Sequence, residues 1–253
     1  MAAWETGPQT PELSDGAVHL WIAGLDWPDG PHRTFWDVLS AEERERAQRF
    51  RFENLQRRFI AAHGILRDIL SRYLGVTPGA IRILIQDYGK PFVTMEGTAT
   101  RLQFNLSHAD ELAVYAVTRT RSIGVDIESI HPIPELQSIA ADHFTAQERA
   151  LIEAAPPEDR DRAFLTCWTR KEAYIKAIGR GLSIPLPSFD AFIPSGAPGR
   201  LLSSDDDATP VRQWWISDLP PIRDHVGAVV IDGRANQYSY WHWSARQIHP
   251  RAE

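Results

Sequence analysis

The chain has 253 residues, 43% hydrophobic and 24% charged, enough to bury one large core or two small ones, which excludes a disulfide-stapled miniprotein, a disordered chain and a fibrous repeat. Lys plus Arg number 27 against 33 Asp plus Glu, a formal net charge of −6, which argues against a dedicated nucleic-acid binder. The single cysteine, Cys167, cannot form an internal disulfide, the start MAAWETGPQT lacks the regions of a signal peptide, and no apolar run approaches the ~18 residues of a membrane span; a cytoplasmic, non-membrane protein is expected.

Residues 19–25 (HLWIAGL) have the apolar content of a strand, closed by Asp26, Pro28, Asp29 and Gly30. Ser40 then reads as a helix N-cap, with Glu43 at the capping-box position, opening a long helical region that ends at Gly75 and Pro78. From Arg44 to Arg72 this region carries eight arginines against three acids, which suggests an anionic partner on an otherwise acidic protein. Residues 81–85, 103–106 and 112–118 read as strands. The same order recurs: a strand at 123–130, short helices over 135–155, a long helix from Arg160 stopped by Gly179, Gly181 and Pro185, then strands at 211–219, 225–231 and 238–243. Residues 194–210 read as an exposed loop. Two halves with the same element order suggest a duplicated architecture with its seam near residues 119–123.

Three constellations carry chemistry. In Gly124-Val-Asp-Ile-Glu128, strand alternation projects Asp126 and Glu128 to one face, so the two carboxylates need a cation, and Mg²⁺ prefers such ligands. Alone, the pair also fits the solvated outer face of an antiparallel strand. On the helix beyond Arg160, Glu172 and Lys176 are an i,i+4 pair which by itself would be a surface bridge. Lys171 lies about 20° from Phe164, inside the apolar stripe of Cys167, Trp168, Ile175 and Ile178. It must therefore meet an anion, and it is expected to face the acidic cluster or a bound phosphate. Third, Asn105-Leu-Ser-His108 follows Asp87-Tyr-Gly-Lys-Pro91. Adjacent Ser107 and His108 point to opposite faces of a strand, a poor nucleophile–base pair, and G-x-S-x-G is absent. A turn there could instead offer the hydroxyl, the imidazole and Lys90 to a phosphate. P-loop, G-x-G-x-x-G, H-E-x-x-H and paired C-x-x-C motifs are all missing.

Together and in this order, YGKP (88–91), NLSH (105–108), GVDIE (124–128) and WTRKEAYIK (168–176) with GRGL (179–182) resemble the 4′-phosphopantetheinyl transferase superfamily. The basic region 40–75 resembles its long, Sfp-type branch, and W-x-x-K-E-A the subgroup named for that motif. The resemblance implies an α+β fold of two similar subdomains related by a pseudo-twofold axis, residues 17–120 and 121–245, each a long helix on a small, mostly antiparallel sheet, with flexible tails at 1–16 and 246–253. It implies transfer of 4′-phosphopantetheine from coenzyme A to a serine of an apo acyl or peptidyl carrier protein by a monomer, with no nucleic acid or membrane involved. Asp126, Glu128 and Glu172 would hold Mg²⁺, or Mn²⁺ in its place. Lys176 would contact the pyrophosphate; Ser107, His108, Arg58 and Arg46 would bind phosphates; Tyr88, Gly89, Lys90 and Pro91 would line the adenine side, with Lys90 near phosphate. Glu172 is the leading general base and Glu128 the alternative. Glu43 departs from the pattern by standing where a basic residue for the 3′-phosphate is expected. Competing readings are a non-catalytic coenzyme A or carrier-binding module and a Mg²⁺-dependent diphosphohydrolase.

Overall fold

The computed structural model describes residues 3–27, 32–181, 184–191, 199–200, 203–204 and 214–245. The N-terminal half runs β1 (Glu5–Thr6), β2 (Ala17–Gly24), α1 (His32–Val38), α2 (Ala41–Gln48), α3 (Glu53–Leu74), β3 (Arg82–Ile85), β4 (Pro91–Met95), β5 (Thr98–Ala99), β6 (Gln103–Ala109) and β7 (Leu112–Thr118). It is followed by β8 (Ile123–Ser129), α4 (Leu136–His143), α5 (Ala146–Ala154), α6 (Arg160–Ile178), β9 (Phe189–Asp190), β10 (Gly199–Arg200), β11 (Ser203–Ser204), β12 (Trp214–Asp218), β13 (His225–Asp232) and β14 (Gln237–His242). The fold is α+β, as expected. Apart from those two short strands, the expected loop at 194–210 lies outside the described residues, as do 211–213 of the expected strand and the tail 246–253.

Two sheets carry the architecture, one ordered β1-β14-β2-β7-β6 and the other β10-β12-β13-β8. In β2, Trp21 and Ala23 pack under α3 with Ile65 and Leu66. Val18, Leu20 and Ile22 point the other way, into a core shared with Ile123, Val125, Ile127, Val229 and Ile231 of the second sheet. Both faces of β2 are thus buried, which is why its sequence reads as a continuous apolar run rather than an alternation. On the outer face of the second sheet, α6 packs Ala173, Tyr174 and Ala177 against Ala228 and Val230. The layers are therefore α3, first sheet, second sheet, α6.

Several elements differ from the sequence-based expectation. The helical region after Ser40 is two helices: Phe52 is extended (φ −105°, ψ 129°), and Phe50 folds onto Phe59 at 5.3 Å between ring centroids. Residues 3–16, expected to be a flexible tail, are packed. β1 pairs with β14, and Leu13 is buried. Arg72 donates to the carbonyls of Pro8 and Ser244. β14 itself joins the first sheet, parallel to β2.

Lys171 is fully buried and does meet an anion, but not the expected one. Its ammonium pairs with Glu148 at 2.8 Å and donates to the carbonyls of Leu186 and Phe189. Glu148 also closes a capping box with Thr145. Lys171 therefore fastens α5 and residues 186–189 to α6, and neither the acidic cluster nor a phosphate is its partner.

Two layers approach closely at Gly124, where a Cβ would lie 2.1 Å from the Ala173 carbonyl oxygen and 2.4 Å from the Ala177 nitrogen. Backbone on the helix side cannot yield without lifting α6 from β8, so Gly124→Ala is expected to cost about 3 kcal/mol. A denaturation midpoint equal to wild type would contradict this contact.

His19 is 4% exposed, its Nδ1 lies 2.9 Å from the Tyr73 hydroxyl, and burial lowers its pKa to about 4. Between pH 4 and the unfolded-state value of about 6.5 the unfolded chain binds a proton that the folded one does not. Stability is therefore full above that window and falls by up to about 3 kcal/mol as pH drops through it. His19→Gln should make the acid limb shallower by one proton; an unchanged slope would refute the assignment.

Candidate active site

β6 and β8 meet at the seam between the two sheets without forming a ladder. Asn105 bridges them instead: its Oδ1 accepts from the Val125 N–H at 2.9 Å. Two residues further along β6 and one further along β8, Ser107 and Asp126 face one another, and the Ser107 hydroxyl donates to Asp126 Oδ1 at 2.8 Å. Because Gly124 lets α6 lie against β8, Lys176 reaches the same point. Its ammonium is 2.6 Å from Asp126 Oδ1 and 2.9 Å from Ser107 Oγ.

A cavity of about 920 Å³ opens over this seam, lined by Ser107, His108, Asp126, Glu128, Glu172 and Lys176 together with Asp142, His143, Trp168 and residues 184–187. A second recess of about 220 Å³ is lined by Tyr88, Gly89, Lys90, Pro91 and Asn105 and shares Glu172 and Lys176 with the first. Ten of the twelve candidate site residues thus border two hollows that share the Glu172–Lys176 pair.

The electrostatics of the seam are those of a site short of positive charge. Asp126 is 4% exposed, so it is not on a solvated strand face. Burial pushes its carboxyl upward, while the charge and hydrogen bonds of Lys176 and Ser107 pull back. Glu128 and Glu172 are raised first by burial and then by the negative charge of Asp126. Asp126 Oδ2 is buried without a hydrogen-bond partner. An orphaned carboxylate oxygen beside two destabilised carboxylates suits a hard divalent cation. Among the described residues, however, no three acidic, imidazole or thiol groups close on one point, and Lys176 occupies Asp126 Oδ1 instead.

The basic residues divide. His108 sits at the end of β6, where its surroundings and the charges of His63, Lys176 and Arg46 lower its pKa. Arg46 lies over the Phe59 ring at 5.3 Å. Arg58 borders neither hollow; it forms a two-pronged bridge to Asp26 at 2.8 and 2.7 Å. Lys90 lines the recess, but its ammonium donates to the Ala177 carbonyl near the end of α6, and burial lowers its pKa to about 8.

Glu43 is absorbed by structure. It closes the capping box with Ser40 and receives Arg67 at 2.7 Å and His63 at 3.1 Å. Burial opposes its charge, but hydrogen bonds from His63 and the Ser40 N–H, with the charge of Arg67, hold it at about 2. Sequence reasoning passed over His63, Asp142 and His143. His63 had a readable signal, four residues from both Phe59 and Arg67 on one helix face; the other two had none, because only the docking of α4 brings them to the cavity.

Comparison with known proteins shows the family of the chain. A family model described as the 4′-phosphopantetheinyl transferase superfamily matches residues 122–230, and one described as 4′-phosphopantetheinyl transferase, N-terminal, matches residues 30–120. The 4′-phosphopantetheinyl transferase HetI of Nostoc sp. is 36% identical over 240 residues, covering 95% of this chain and 98% of the relative. The chain belongs to the 4′-phosphopantetheinyl transferase superfamily. The 4′-phosphopantetheinyl transferase Sfp of Bacillus subtilis is 32% identical over 155 residues, 61% of this transferase and 66% of the relative. The activity is transfer of phosphopantetheine from coenzyme A to a carrier protein. Among its described residues no helix of the transferase is long and apolar enough to cross a membrane.

Proposed function

We propose that the transferase uses the seam between β6, β8 and α6 as its catalytic centre, moving 4′-phosphopantetheine from coenzyme A to a serine of an apo acyl or peptidyl carrier and releasing 3′,5′-ADP. The observation that carries this reading is the Glu172–Lys176 pair, shared by the carboxylate-lined cavity and the recess of Tyr88–Pro91. A diphosphate spanning the two hollows would lie against the side chains that both share among the described residues, one acid and one ammonium.

The serine oxygen attacks the β-phosphorus, the new P–O bond forms, and the bond to the bridging oxygen breaks with its electron pair leaving on 3′,5′-ADP. Glu172 takes the serine proton, directly or through water. Lys176 places a positive charge where the pyrophosphate oxygens gain negative charge. Asp126, Glu128 and Glu172 are the residues that would hold Mg²⁺, or Mn²⁺ in its place, which when bound withdraws charge from those oxygens. At the end of β6, Arg46 offers the 3′-phosphate its charge, and His108, whose pKa burial lowers, offers a hydrogen bond. Ser107 positions Lys176 and Asp126. The halves 17–120 and 121–245 act as two subdomains about a pseudo-twofold axis, with β14 of the second half crossing back into the first sheet, in a monomeric cytoplasmic enzyme.

The test is incubation with coenzyme A, Mg²⁺ and a panel of apo carriers, read by intact mass spectrometry with an EDTA control. A metal-dependent gain of one phosphopantetheine on a carrier is expected. Free phosphopantetheine in solution would instead identify a diphosphohydrolase, and coenzyme A binding without transfer to any carrier would identify a binding module.

A further inference from the structure

Asp126, Ser107 and Lys176 form a closed ring of contacts. The Ser107 hydroxyl donates to Asp126 Oδ1 at 2.8 Å, and Lys176 donates to both, at 2.9 and 2.6 Å. The members are not equally fixed. The Asp126 side chain is 5% exposed and set in β8, which is held between β13 and α6, whereas Lys176 is 30% exposed at the tip of a flexible four-carbon stem. Any rearrangement of the ring therefore moves the lysine.

The ammonium already neutralises Asp126 from within the protein. A divalent cation arriving at the same carboxylate would meet a like charge in hydrogen-bond contact with its ligand, in a partly dehydrated site where such repulsion is strong. Lys176 also borders the recess of Tyr88–Pro91, so an anionic diphosphate seated there offers the ammonium another partner.

We infer that Lys176 is a resident counter-ion that keeps Asp126 from a divalent cation until a diphosphate draws the ammonium away, so that cation and coenzyme A bind as a coupled pair. The inference rests on the assignment of Asp126 as a metal ligand made above. Coupling of this kind is reciprocal: coenzyme A raises cation affinity by the factor by which the cation raises coenzyme A affinity.

Because a pyrophosphate is itself a metal ligand, coupling alone is not diagnostic. The decisive measurement is Mn²⁺ binding to the full chain without coenzyme A, followed by the electron paramagnetic resonance signal of free Mn²⁺. Lys176→Met should bind Mn²⁺ at least about tenfold more tightly than wild type, since the competing charge is gone. Ser107→Ala, which removes one of the two anchors of the lysine, should fall between them and serves if Lys176→Met does not fold. Lys90→Met removes a charge from the same recess, but one bonded to the Ala177 carbonyl, and should shift affinity less than about twofold. The inference fails if Lys176→Met and Ser107→Ala bind Mn²⁺ no more tightly than wild type, or if Lys90→Met matches Lys176→Met, which would mark a general field effect. Asp126→Asn should abolish binding in both the wild-type and Lys176→Met backgrounds. Retained binding there would overturn the metal-site assignment itself, an outcome distinct from failure of the lysine to compete.

Discussion

Replacing Asp126 by asparagine is expected to lower kcat/KM about 10²–10³-fold, the scale on which enzymes lose a preorganised charged group at the reacting centre, while the protein still folds. Asparagine keeps the shape and one acceptor oxygen for Ser107, so the seam stays closed, but it removes the charge facing Lys176. Alanine would be the poorer test. Asp126 is buried, and truncation would leave a void and deprive both Ser107 and Lys176 of a partner. Turnover should be read by mass gain on the carrier, with a thermal melt of the same sample. Wild-type turnover in a folded Asp126→Asn protein would remove the carboxylate from the mechanism.

The second large effect is expected at Glu172. If it takes the serine proton, Glu172→Gln should cost about 10²–10⁴-fold in kcat, the range for loss of a general base, and Glu128→Gln should cost less. The distinction rests on placement: Glu172 borders both hollows, whereas Glu128 borders only the larger one. Burial and the charge of Asp126 raise the Glu172 carboxyl, so wild-type activity should fall on acidification earlier than an ordinary carboxylate would dictate. That acid limb should disappear in Glu172→Gln. A larger loss in Glu128→Gln, with the limb intact in Glu172→Gln, would transfer the role to Glu128.

Short-range features were legible because neighbours in sequence settle them. The run at 112–118 is a strand over the expected residues, and Ser40 with Glu43 forms the expected capping box. The 160–179 helix ends at Gly179 in the left-handed conformation (φ 74°). Where the expectation failed, a long-range contact had overridden a local pattern. Phe50 folding onto Phe59 splits one predicted helix into two. β4 over Pro91–Met95 was not among the expected strands, although it pairs with β3 along Ile83–Val93 and Leu84–Phe92.

The site shows the same division. Strand alternation by itself determined that Asp126 and Glu128 share a face, helical spacing put Glu172 and Lys176 side by side, and apolar periodicity required Lys171 to find an anion. Each of these follows from geometry within one element. Which anion Lys171 meets, whether Asp126 is solvated or buried, and what Glu43 holds depended on how separate elements close on one another. Glu148 reaches Lys171 from α5, Arg67 reaches Glu43 from α3, and Lys176 reaches Asp126 because a glycine on β8 lets α6 approach. Such pairings are chosen by burial, which makes an unpartnered charge costly and so forces distant residues together. Sequence spacing carries no record of that choice.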